Sequence, residues 1–290
     1  MPTLYLLLAV YCGMIVLASL AGGWLPGMIR LTHGRMQEMM SVVGGLMLGI
    51  GLFHMLPHAA HYLGSVERTM HWAAGGLLLM FFLIRAFHFH QHGPAEIADE
   101  DVHDPHHHHH APGAAHRLSW MGVAFGLALH TLIDGLALGA SMQADVGRGA
   151  VWSLFGLQTF LAILLHKPLD AVSITSLMAA GGWSSGWRNV VNAGFALMCP
   201  LGAGLFFLGV GGLAEHRDAL VGAALAFSGG VFLCISLGDL LPEMEWHSHD
   251  RLRLSALLLL GIGIAYAIEQ THPHDHAVHA PRHTLDVPLQ

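Results

Sequence analysis

The chain has 290 residues, of which 54% are hydrophobic and only 11% charged, against about 25% charged in a soluble globular domain. That balance excludes a soluble globular protein and predicts an all-α polytopic membrane protein. A formal net charge of −7 is modest and gives no reason to expect a nucleic-acid partner.

Apolar windows long enough to cross a hydrocarbon core of ~30 Å fall at 3–25, 40–62, 70–90, 118–141, 151–180, 188–212, 219–243 and 253–270, which gives eight transmembrane helices. No basic residue precedes the first window and no small-residue cleavage site follows it, so a retained helix is expected there rather than a signal peptide. Cys12, Cys199 and Cys234 lie inside windows, which argues against a disulfide framework. The 36 glycines suit close helix packing.

The second window carries His54, His58 and His61 at i, i+4 and i+7, an expected entrance for an ion. It also repeats later in the chain. Gly44 to His58 aligns without gaps on Gly229 to Glu243 of the seventh window, both running from a glycine pair to Leu-Pro and an ionisable residue. With eight helices these two cross in opposite directions, which implies an inverted repeat of helices 1–3 and 6–8 around a central helix 4–5 pair. Pro57 and Pro242 are expected to kink or break their helices.

Between the third and fourth windows, residues 91–117 hold Glu96, Asp99, Glu100, Asp101, Asp104 and the run His106 to His110. Such a stretch cannot bury a core and is expected to be disordered. It reads equally as a loose zinc buffer or as a solvated linker. The chain thus divides into helices 1–3 (1–90), this loop (91–117), a metal-bearing central pair (118–180), helices 6–8 (188–270) and a tail (271–290) with His272, His274, His276, His279 and His283.

The fourth and fifth windows contain His130-Thr131-Leu132-Ile133-Asp134-Gly135 and His166-Lys167-Pro168-Leu169-Asp170. Ionisable side chains inside a membrane helix are expensive and usually functional. Each segment sets a histidine four residues before an aspartate, hence on one helix face a turn apart. Two such helices side by side offer His130, Asp134, His166 and Asp170 to one divalent metal. Imidazole and carboxylate suit zinc in a tetrahedral site, or iron and manganese with added waters. Lys167 is expected to be a counter-ion, pairing with Asp170 at i+3 or with Asp134 across the interface. The fifth window can also hold a short turn near Gly181-Gly182. Helix 6 supplies no carboxylate for a second metal, and Asn192 is its only polar candidate. Asp239, Glu243 and Glu245, at the far end of helix 7, form an expected exit.

Lysine and arginine set the orientation. With the N-terminus outside, Arg30, Arg35, Arg85, Arg117, Arg188, Arg251 and Arg253 lie inside, against Arg68, Arg148, Arg217 and Arg282 outside. Both termini are therefore expected outside, and in a bacterium the membrane would be the cytoplasmic one.

The fourth helix, His130 to Ala140, resembles the His-Asn-x-x-(Asp/Glu)-Gly-(Leu/Met)-Ala-x-Gly signature of the ZIP (ZRT/IRT-like) family of divalent metal transporters. The fifth, with His166, Lys167 and Pro168, is similar to a branch carrying His-Lys-x-Pro where most members have His-Glu-x-Pro-His-Glu. The resemblance implies that His130, Asp134, His166 and Asp170 bind the transported metal. Thr131 replaces the usual Asn and Lys167 the acidic bridge to a second metal, so one metal is expected. It further implies Zn2+, or Fe2+, Mn2+ or Cd2+, moving into the cytoplasm, with no prosthetic group and a homodimer as one possible assembly. The competing readings are an intramembrane metalloenzyme and a metal sensor without transport. Lys167 stands where the enzyme would need a carboxylate base.

Overall fold

A computed structural model describes residues 2–28, 33–88, 114–147, 154–246 and 251–270. The last four residues of the stretch expected to be disordered, 114–117, are instead helical; residues 91–113, the C-terminal tail, His247 and His249 lie outside the described residues. So do the side chains of Asp239, Glu243 and Glu245.

Among the described residues every regular element is a helix: α1 (Pro2–Met28), α2 (His33–Ile50), α3 (Leu56–Leu63), α4 (Val66–His88), α5 (Ala114–Gly147), α6 (Leu157–Ala180), α7 (Ser185–Ala196), α8 (Met198–Gly212), α9 (Arg217–Trp246) and α10 (Arg251–Gln270). A wide π-turn over Gly51–Met55 joins α2 to α3, so the two form one pass, as do α7 and α8. Among the described residues, seven passes are long and apolar enough to cross a membrane. The eighth long segment is α4, whose 23 residues span about 34 Å at 1.5 Å per residue.

Prolines mark the irregularities. Pro57 has no N–H for an i−4 bond, and just before it the Leu56 N–H reaches back five residues to the Gly51 carbonyl, which widens the turn holding His54. Pro200 likewise leaves the Ala196 carbonyl without its partner, and the sixth pass breaks at Leu197. The apolar window 188–212 predicts one continuous helix for that pass. By contrast, α9 continues through Pro242 to Trp246 unbroken. Gly181 and Gly182, the latter at φ 76°, make the turn that closes α6.

Four helix pairs pack most extensively: α2 with α10, α5 with α8, α4 with α9, and α1 with α6. Facing glycines make three of them possible. A Cβ on Gly45 would run into the Leu258 backbone and one on Gly261 into Val42; Gly76 and Gly230 stand likewise against Phe227 and Ala73, and Gly135 and Gly202 against Cys199 and Leu132. Between lipid-embedded helices the apolar effect supplies no attraction, so close backbone approach through small residues supplies it instead. Outward faces carry Leu6, Leu17, Phe82, Leu208, Leu252 and Leu259, between 61% and 89% exposed, as expected of a surface that meets lipid. The core is continuous through Ile15, Ile50, Met55, Leu138, Met142, Ile163 and Leu225.

Candidate metal centre

Helices α5 and α6 lie side by side, tied by a 2.7 Å hydrogen bond between the Ser141 and Thr159 hydroxyls. From α5 come His130 and Asp134, and from α6 His166, Lys167 and Asp170. The imidazoles of His130 and His166 stack with centroids 5.5 Å apart and planes at 29°. All four expected ligands are therefore brought into one cluster, in which Asp134 is fully buried and His130 and His166 nearly so.

The Asp134 Oδ2 atom sits 3.2 Å from His166 Nε2 and 3.5 Å from His130 Nε2, while Asp170 Oδ2 lies 3.8 Å from His166 Nε2. Donors on one tetrahedral zinc at 2.0–2.2 Å stand roughly 3.3 to 3.6 Å apart. The two histidine spacings about Asp134 Oδ2 are close to what the ion needs, while Asp170 stands slightly farther off. Donor atoms of His130, His166 and Asp170 all fall within 4.8 Å of one another.

The tautomer of His166 is set by its surroundings. Nδ1 donates to the Ala162 carbonyl at 2.7 Å, which leaves the Nε2 lone pair directed at a carboxylate oxygen. A cation between the two, metal or proton, reconciles them.

Lys167 is fully buried. Its Nζ donates to Asp134 Oδ2 at 2.6 Å, to the Thr131 hydroxyl at 2.9 Å and to Asp170 Oδ2 at 3.2 Å, and it lies 5.5 Å over the Phe195 ring. Both pairings considered from sequence occur together, the contact with Asp134 being shorter. Two carboxylates against one ammonium leave one net negative charge instead of two, and Asp170, the more exposed of the two carboxylates, can share it with the cavity. Thr131 fits this arrangement because a hydroxyl both accepts from Lys167 and donates to the Leu127 carbonyl, here at 2.8 Å.

Pro168, one residue beyond Lys167, frees the Leu164 carbonyl by lacking an N–H. The Pro168 backbone packs where a Cβ on Gly22 of α1 would sit. A cavity of about 500 Å3, lined in part by His130, His166 and Asp170, extends from the cluster past Met40, Ser176 and Ser236. It therefore runs toward the end of the bundle where α2 and α5 begin and α6 and α9 finish.

Other expected site residues stand elsewhere. His54 and His58, both 2% exposed, do not join the central cluster. Their rings lie 4.2 Å apart, and His54 Nδ1 is 3.0 Å from Glu269 Oε2 of α10. Sequence reasoning passed over Glu269, although a carboxylate at the end of an apolar window was a signal available to it. Gln158 of α6, also passed over, donates to the same oxygen at 2.8 Å. Asn192 donates to the Ser19 carbonyl of α1 at 3.3 Å.

A sequence model of the ZIP zinc transporter family matches residues 86–269. Zinc transporter ZIP9 of Xenopus tropicalis is 26% identical over 316 aligned residues, covering 90% of this chain and 97% of that protein. Zinc transporter ZIP1 of Homo sapiens is 33% identical over 162 residues, covering 53% of this chain and 45% of its own length. Metal cation symporter ZIP8 of Homo sapiens is 34% identical over 129 residues, covering 44% and 25% respectively.

Proposed function

We propose that this chain, which belongs to the ZIP zinc transporter family, carries its divalent metal into the cytoplasm through the site of His130, Asp134, His166 and Asp170. Zinc is the preferred cargo in this reading, with Fe2+, Mn2+ and Cd2+ as further candidates, because the donors are two imidazoles and two carboxylates without a thiolate. The observation that carries the proposal is the buried Lys167–Asp134 pair beside two histidines whose Nε2 atoms already stand near zinc-ligand spacing.

Lys167 acts as a tethered cation. When metal takes Asp134, the ammonium keeps the Thr131 hydroxyl and the face of Phe195, so it has somewhere to go without leaving the site. When metal departs, the ammonium returns and neutralises the carboxylate. The site thus exchanges one cation for another and never holds two bare buried carboxylates. Its charge also stands in for a second metal, consistent with Asn192 being committed to α1.

Direction follows from the arginine asymmetry together with the cavity. With α4 as an eighth crossing and both termini outside, the end of the bundle toward which the cavity extends is cytoplasmic. Asp239, Glu243 and Glu245 belong to the last turns of α9 at that end and form the exit. An inverted repeat is supported by the helix pairing. Exchanging the second pass with the seventh and the third with the eighth turns the α2–α10 pair into the α9–α4 pair. The aligned glycines Gly45 and Gly230 occupy the close approach in each. A homodimer is part of the same reading, to be tested by the mass of the purified protein in detergent.

The deciding experiment is metal entry into liposomes holding the purified protein and a trapped fluorescent indicator, with Zn2+, Fe2+, Mn2+ and Cd2+ offered outside. Asp134→Ala and Asp170→Ala are expected to abolish flux while the protein stays folded. Normal flux in both would remove the site assignment.

A further inference from the structure

The cluster of His54, His58 and Glu269 lies outside the central site and is built like a metal site of its own. Each residue offers one donor atom, and these three atoms all lie within 4.8 Å of one another. The side chains are deeply buried, at 2%, 2% and 3% exposure. Ionisable groups at such depth inside a membrane bundle are costly and are usually functional.

The hydrogen bonding prepares a donor set. His54 Nδ1 donates to Glu269 Oε2 at 3.0 Å, and its Nε2 has no hydrogen-bond partner among the described residues. A cation seated between Nδ1 and Oε2 in place of that proton makes His54 and Glu269 ligands of one ion, and the ring then carries its proton on Nε2. Gln158 is 2% exposed and donates its Nε2 to the same Glu269 oxygen at 2.8 Å. Its Oε1 has no partner among the described residues, and half a turn of the amide brings that oxygen to the cluster as a fourth donor.

We propose that His54, His58 and Glu269, completed by Gln158, bind a second divalent transition metal ion, with zinc best matched to two imidazoles and two oxygens. Gln158 precedes His166 by eight residues on the same helix, so the two sites are separated by about 12 Å along α6. The second site lies toward the beginning of α6 and the end of α10, opposite to the direction in which the cavity extends. It is a staging site that an ion meets before the central ligands. That order rests on the central cluster being the transport site; the binding itself does not.

The π-turn explains how the chain reaches this geometry. Gly51–Met55 widens the helix just where His54 sits, and such turns are frequent at functional sites. His54 and His58 come from the α2–α3 pass, Glu269 from α10 and Gln158 from α6, so three passes contribute.

The test is zinc bound per chain after equilibrium dialysis of the full-length protein in detergent. Four proteins are compared: wild type, Asp134→Ala with Asp170→Ala, His54→Gln with His58→Gln, and all four changes together. Zinc held by the His-rich segments is common to all four and cancels in the differences. The expected result is a loss of one zinc from each double variant and of two from the quadruple. Glu269→Gln, nearly isosteric, repeats the measurement should the histidine variants not fold, and is expected to lose one. If zinc per chain is unchanged by the histidine changes or by Glu269→Gln, the second site is overturned and the cluster is a hydrogen-bonded tie between passes. Failure of the central assignment would appear only in the Asp134 and Asp170 comparison.

Discussion

Replacing Lys167 with methionine removes the ammonium while keeping nearly the same length and volume. In the wild type that ammonium is fully buried, 2.6 Å from an equally buried Asp134 carboxylate and 3.2 Å from Asp170. Removing one partner of a buried pair leaves an uncompensated charge and costs about 3–5 kcal/mol. At a few degrees per kcal/mol, metal-free Lys167→Met should melt on the order of 10 °C below wild type. Zinc reverses the balance, because the ion no longer has to displace a cation from Asp134. Its binding then adds to stability through mass action, about 2.7 kcal/mol at one hundred times its Kd, and more in the variant, where that Kd is lower. The assay is thermal unfolding of the detergent-solubilised protein with chelator and with zinc. The variant should show the lower melting temperature in chelator and the larger zinc-induced rise. Equal melting temperatures in chelator, or a zinc response no larger than that of wild type, would refute the tethered-cation argument.

Two further outcomes follow from the same geometry. Lys167→Glu supplies a carboxylate where the ammonium stood, and metal bound at the central site should rise from one ion toward two by metal analysis; an unchanged single ion would count against Lys167 as the stand-in for a second cation. Gly202→Leu puts a side chain into the Leu132 backbone of α5, whereas Gly204 has nothing within 4 Å of its would-be Cβ. Backbone cannot yield as a side chain can, so Gly202→Leu should cost about 1–3 kcal/mol or more and reduce the yield of folded protein. Gly204→Leu should be neutral in the same size-exclusion assay.

The amino-acid sequence by itself determined the class of protein and the pairs within each helix. An 11% charged chain whose apolar windows run to about 20 residues is matched to membrane helices, since a membrane-spanning strand needs only about ten. The 3.6-residue repeat then puts His130 over Asp134, and His166 over Asp170, wherever those helices sit. Proline was less decisive as a local signal: Pro57, Pro200 and Pro242 gave a wide turn, a break and an unbroken helix. What a helix does with a lost hydrogen bond depends on what packs around it.

Tertiary structure decided everything that crosses from one helix to another. The choice of Asp134 as the nearer partner of Lys167, the turning of Asn192 toward α1, and the meeting of His54 with Glu269 across more than two hundred residues depend on each helix's rotation and axial register. Those two variables are set by summed contacts over whole interfaces, such as the facing glycines of α5 and α8, α2 and α10, and α4 and α9. No local pattern encodes them, because the energy that fixes them is shared among residues distant in the chain.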